Sequence, residues 1–124
     1  MHYHRVYTTA EGRSRFEQVE VDFRLAEFVP GRPLVGLSEP FEATGVAINR
    51  VPPDWEGDWH PTPRRQFGVV LSGALDIRTS DGQAHRFTPG GLFLLEDTSG
   101  DGHTTRTVGD AEAIVLLAWL DKPA

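Results

Sequence analysis

The chain has 124 residues, no cysteine and a formal net charge of −6, enough for one domain that buries about two-thirds of its unfolded surface without disulfides. The missing thiols exclude zinc fingers, cysteine nucleophiles and thiol redox chemistry. Arginines scattered through an acidic chain offer no nucleic-acid face and no anchor for an anionic membrane, and no apolar run reaches the roughly 18 residues of a membrane span; a cytoplasmic protein is expected.

Strand signals dominate in chain order. His2 and His4 alternate along what reads as a fraying first strand rather than a metal-binding tract. Val19, Val21, Phe23 and Leu25 alternate with Glu20, Asp22 and Arg24, the period of a strand with one wet face. Pro30-Gly31-Arg32-Pro33 breaks that run, and a further strand covers about residues 42–51, ended by Pro52-Pro53. Residues 66–71 and 74–79 read as strands joined by a bend at Ser72-Gly73, with Phe67, Val69 and Leu71 assigned to the core. Ser80-Asp81-Gly82-Gln83 is a hairpin turn into residues 84–88. Pro89-Gly90-Gly91 then leads to a strand at Leu92 to Leu95, and residues 103–108 and 112–120 complete the set. The last segment reads as strand rather than helix because Ile114, Val115 and Trp119 suit a sheet. So many short strands between closely spaced turns predict an all-β protein, one antiparallel jelly-roll sandwich or barrel.

One constellation points to chemistry. His60-Pro61-Thr62-Pro63-Arg64-Arg65-Gln66 is followed by Gly73 and, much later, by His103. Residues two apart on one strand face lie about 6.5 Å from each other, so ligands from a single strand chelate an ion only when another strand brings more. His60 and Gln66 flank the Pro61 to Arg65 bend and His103 comes from another strand pair, which is how a barrel interior assembles a three-point site. The alternative is a hydrogen-bonded histidine satisfied by an inward glutamine. Trp55 and Trp59 either line the mouth of a pocket or close the barrel end, and the planar forks of Arg64 and Arg65 suit a carboxylate or phosphate. Arg106, a strand neighbour of His103, faces the opposite side.

Residues 60–73 resemble the first motif of the cupin superfamily, His-x-His, then Glu, then Gly. His60 fills the first histidine, Gln66 stands at the glutamate, Gly73 at the glycine, and Thr62 replaces the second histidine. Gly91, the strand at Leu92 to Leu95, the turn from Glu96 to Gly102 and His103 resemble the second motif, with about one extra residue and no proline; Thr107 stands where the family often has asparagine. The resemblance covers roughly residues 40–120 and implies a small single-domain cupin, a double-stranded β-helix in which residues 1–40 form N-terminal strands and a dimer-type arm and residues 41–120 the conserved barrel. It also implies a homodimer and a divalent transition metal, Fe, Mn, Ni, Co, Cu or Zn, held by His60, Gln66 and His103. An amide in place of the carboxylate removes one negative charge from around the ion, giving weaker binding and a more Lewis-acidic ion.

The expected function is therefore metal-dependent chemistry on a small organic molecule, of the oxygenase or lyase, isomerase or cyclase kind, with Thr62, Trp55, Trp59 and Thr105 around the substrate. Asp97 or Glu96 returns the lost charge as a fourth ligand or a general base, or caps backbone amides in its turn, and Arg64 completes the catalytic candidates. Two other readings stay open: a non-enzymatic ligand-binding or sensing barrel, and a metal-free lyase or isomerase with His60 or His103 as the base.

Overall fold

The computed structural model describes residues 1–121, and its named elements are all strands: β1 (His2–Thr8), β2 (Ser14–Glu20), β3 (Arg24–Ala26), β4 (Val35–Leu37), β5 (Gly45–Val51), β6 (Gln66–Ser72), β7 (Leu75–Thr79), β8 (Ala84–Phe87), β9 (Leu92–Leu95), β10 (His103–Thr107) and β11 (Ala113–Trp119). They form a six-stranded sheet in the order β2-β1-β9-β6-β11-β5, a three-stranded sheet β10-β7-β8 and a separate hairpin β3-β4. No helix among the described residues is long and apolar enough to cross a membrane.

The two larger sheets share one core. Val6, Val70, Phe93, Leu95, Ala113 and Val115 come from the six-stranded sheet, and Leu75, Ile77 and Phe87 from the three-stranded one. Burying each of the large side chains contributes about 1.5–3 kcal/mol. The bend between β6 and β7 requires Gly73, whose φ is 71° and where a Cβ would lie 2.1 Å from the Glu112 carbonyl oxygen. On the outer face of the three-stranded sheet Asp76 accepts from Arg86 and Arg106 across the strands. Hydrogen bonding to the Arg86 guanidinium holds the Asp76 carboxyl below its ordinary pKa, against the opposing effect of its burial.

Three expectations are corrected. The run from Val19 to Leu25 is not one strand: β2 stops at Glu20, which pairs with His2, and the Val21 amide donates to the carbonyl of Met1, so β2 leaves the sheet where its partner begins. Phe67, Val69 and Leu71 do not enter the core. Gln66, Gly68 and Val70 are the buried set of β6, and a strand's period of two sends the others outward, leaving Leu71 48% exposed. The first strand is paired on both sides instead of lying at an edge. β1 lies between β2 and β9, antiparallel to one and parallel to the other, a parallel pair inside a predominantly antiparallel fold.

The β3-β4 hairpin has strands of three residues and leaves Phe23, Leu25, Phe28, Val29 and Leu34 exposed. A two-stranded ribbon of that length is marginal in water by itself. The outer face of the six-stranded sheet also exposes Val46, Ile48 and Leu71.

Candidate functional site

The site is built where the chain before β6 runs along the free edge of β10. Glu56 bridges to Arg106 and His60 to His103, and the two histidines exchange backbone hydrogen bonds of 3.1 and 3.0 Å. Only glycine permits this approach at position 102. Its φ is 73°, and a Cβ there would lie 2.0 Å from the His60 carbonyl carbon.

Hydrogen bonds then orient each side chain. The His103 ring is buried, and its Nδ1 lies 2.6 Å from Oδ2 of Asp97, which is also buried. A carboxylate there fixes Nδ1 as the protonated nitrogen and leaves the Nε2 lone pair for a metal or a proton. The other Asp97 oxygen, Oδ1, is buried without a hydrogen-bond partner among the described residues. The Asp97 backbone is held in turn, its carbonyl accepting from the Thr62 amide at 2.9 Å. His60 is exposed, and its Nδ1 lies 2.8 Å from the Asp58 carbonyl. A carbonyl only accepts, so His60 also keeps its lone pair on Nε2. The two ring centres are 5.2 Å apart.

Gln66 and Thr62 form the third arm. The Thr62 hydroxyl donates to the Arg64 carbonyl at 2.7 Å and accepts from Gln66 Nε2 at 3.0 Å. The hydroxyl has already given its one proton, so the Gln66 amide meets it with nitrogen and turns Oε1 away from Thr62. Thr105 pairs with the core residue Ile77 and shares its face of the sheet.

The neighbouring arginines diverge. Arg65 donates to Glu96 at 2.8 Å and to Asp121 at 3.3 Å, and Arg5 holds the other Glu96 oxygen at 2.6 Å. Donating to the Glu96 carboxylate raises the Arg65 pKa above its ordinary value. Glu96 is thus clamped between two guanidinium groups and is not gathered with the histidines. Arg64 instead stacks its guanidinium over Trp119, 4.4 Å from the ring centre.

The structure brings His60, His103 and Asp97 together and links Thr62 and Gln66 to them through hydrogen bonds. Trp55 stands apart. Its backbone pairs with Thr107, four residues along β10 from His103, and it lines a groove of about 360 Å³ with Asp76, Arg86 and Arg106. Trp59, next to His60, is 48% exposed. A larger groove of about 480 Å³, lined by Tyr3, Phe41, Phe67 and Leu92, contains none of these histidines. The pairing of Asp97 with His103 was not read from sequence. Its signal is a carboxylate ahead of the Gly100-Asp101-Gly102 turn that returns the chain to a histidine.

A family profile described as "Cupin domain" matches residues 47–119, and the chain belongs to the cupin family. No curated protein matches it. Among solved structures it is similar to a Cupin 2 conserved barrel domain protein from Salinispora arenicola, with 20% identity, a TM-score of 0.51 and 61% of each chain covered. It is similar to a DMSP lyase from Ruegeria pomeroyi, with 20% identity and a TM-score of 0.55 over 82% of this chain and 48% of that one. A cupin-superfamily sugar phosphate isomerase from Silicibacter pomeroyi is 21% identical, with a TM-score of 0.51 over 91% of this chain and 62% of that one. The chain spans about half to three-fifths of the length of these structures, and the likeness is one of fold.

Among the described residues no group of three or more His, Cys, Asp or Glu side chains is placed to hold a metal ion. An ion here would have two imidazoles and the neutral amide oxygen of Gln66 as its donors. The spacing of the two rings fits that limited role. With metal–nitrogen bonds of about 2.1 Å, two imidazoles on one ion hold their centres roughly 5 Å apart, and a carboxylate on the far nitrogen of a ligating histidine is the usual supporting contact.

Proposed function

We propose that the barrel is an enzyme acting on a small organic molecule at the His60–His103 site, with a divalent transition metal held by His60 Nε2, His103 Nε2 and Gln66 Oε1. The buried Asp97–His103 pair carries this reading, because it leaves the His103 Nε2 lone pair uncommitted and keeps the ring in one tautomer. When bound, such an ion supplies Lewis-acid polarisation of a substrate oxygen. The chain's own part is to hold both imidazoles, orient the Gln66 amide through Thr62 and leave a ligand position open where Thr62 replaces a histidine.

With no third ionisable ligand among the described residues, the uncommitted His103 nitrogen beside Asp97 favours one further reading. In it His103 Nε2 accepts a proton from the substrate while Asp97 stabilises the imidazolium that forms, with no metal involved. A homodimer also belongs to the proposal. The exposed Val46, Ile48 and Leu71 and the uncovered β3-β4 hairpin are surfaces that a second copy would bury.

Elemental analysis of the purified chain, and of the same chain dialysed against Mn(II), Co(II) or Zn(II), tests the metal. The expected result is one ion per chain, lost in His60→Ala and His103→Ala while both stay folded, and held more tightly in Gln66→Glu. A wild-type protein that is metal-free and binds no added ion contradicts the metal reading and leaves the His103 base.

A further inference from the structure

Among the described residues, the arginines without a carboxylate partner are Arg13, Arg32, Arg64 and Arg78, and of these only Arg64 is not exposed. Its neighbour Arg65 is neutralised by Glu96 and Asp121, so the two guanidinium groups of one dipeptide meet opposite fates. Arg64 is held by stacking on Trp119, a contact that orients the planar fork without using its hydrogen-bond donors. Trp119 pairs with Gln66 across the β6-β11 ladder, and the Arg64 carbonyl accepts from the Thr62 hydroxyl that also receives Gln66. A partly buried, oriented cation, unpaired with any carboxylate among the described residues, therefore sits at the Gln66 end of the barrel, in a chain whose net charge is −6.

Resting on the functional reading above, we infer that the substrate is a small carboxylate anchored by Arg64. A guanidinium fork matches the two oxygens of a carboxylate in a bidentate pair. One cation balances one negative charge, which suits a carboxylate better than a phosphate dianion. Arg64 is then a substrate-binding residue that moves no proton, since a guanidinium stays protonated at any working pH.

The test uses the full chain freed of metal, titrated with propionate and, separately, with inorganic phosphate, while NMR follows the Trp119 indole N–H and the His103 ring. Propionate is expected to shift both signals. Arg64→Gln should weaken that binding about ten- to hundredfold, Arg64→Lys should weaken it less, and Arg65→Gln should leave it unchanged. Persistence of binding in His60→Ala separates this inference from the metal reading, because a failed metal site leaves carboxylate capture intact. The inference is overturned if propionate leaves Trp119 unmoved, if Arg64→Gln binds it as well as the wild type, or if phosphate binds and propionate does not. A response at Trp119 without one at His103 also overturns it, since the anion would then sit outside the reacting site.

Discussion

Among the described residues the histidines gather in two places, and the two differ in how their ring nitrogens are held. His4 and His85 stack with ring centres 4.3 Å apart and an interplanar angle of 35°, with Phe16 edge-on to both rings and Phe87 beside them. His60 and His103 lie farther apart at 5.2 Å, and both have one nitrogen committed to an acceptor. The first pair is packing; the second is addressed. Proximity of imidazoles does not make a site: a buried carboxylate that fixes the tautomer, and a strand edge that brings the second ring alongside, do so.

The largest effect that sharpens this contrast falls on Asp97. Replacing it with Asn is expected to reduce divalent-ion affinity about 10–100-fold, whereas His85→Gln leaves that affinity unchanged; competition with a chromophoric chelator measures both. Asp97→Ala should also cost about 1.5–3 kcal/mol in a urea melt, the range for a hydrogen bond involving a charged group. Equal ion affinities in the Asp97 and His85 variants would erase the distinction between the pairs.

A smaller effect belongs to the stacked pair. Burial lowers the His4 pKa from 6.5, helped by the neighbouring His85 and His2. The folded state thus resists a proton that the unfolded chain accepts. Its contribution is fully present above about pH 6.5 and is lost as pH falls from there toward the depressed folded value. Asp76 acts lower. Its depressed pKa gives stability above about pH 3.8 that is lost as pH falls further, through the folded value. His4→Phe should therefore flatten the upper part of the acid-stability profile measured by circular dichroism, and leave the lower part in place. A profile unchanged by that substitution would remove His4 from the account.

Much of the fold was legible because its signals are local. The Asp81-Gly82 hairpin joins β7 and β8 where expected, Leu92–Leu95 is a strand, and the segment near the C-terminus is β11 rather than a helix. What was illegible depends on partners distant in sequence. β1 pairs in parallel with β9, some ninety residues away, and no turn chemistry encodes that contact. Phe67, Val69 and Leu71 read as core by composition alone. An inward Gln66 already implies that Phe67 points out, so the glutamine was better evidence for their orientation than their hydrophobicity. At the site, His60 and His103 were legible as types and spacing, and the structure makes them neighbours. The separate roles of Asp97, paired with His103, and Glu96, clamped by Arg5 and Arg65, depend on which face of the chain each occupies after β9. Residues adjacent in sequence share composition and diverge in partner, as Arg64 and Arg65 also do.

The proposed reactive pair is His60 and His103, not His4 and His85. Heteronuclear NMR of the histidine ring nitrogens, during titration of the metal-free full chain with Mn(II), decides between them. Paramagnetic broadening of the His60 and His103 rings is expected first, with His4 and His85 unaffected at one equivalent. Broadening that begins at His4 and His85, or spreads evenly over all the histidines, would rule the assignment out.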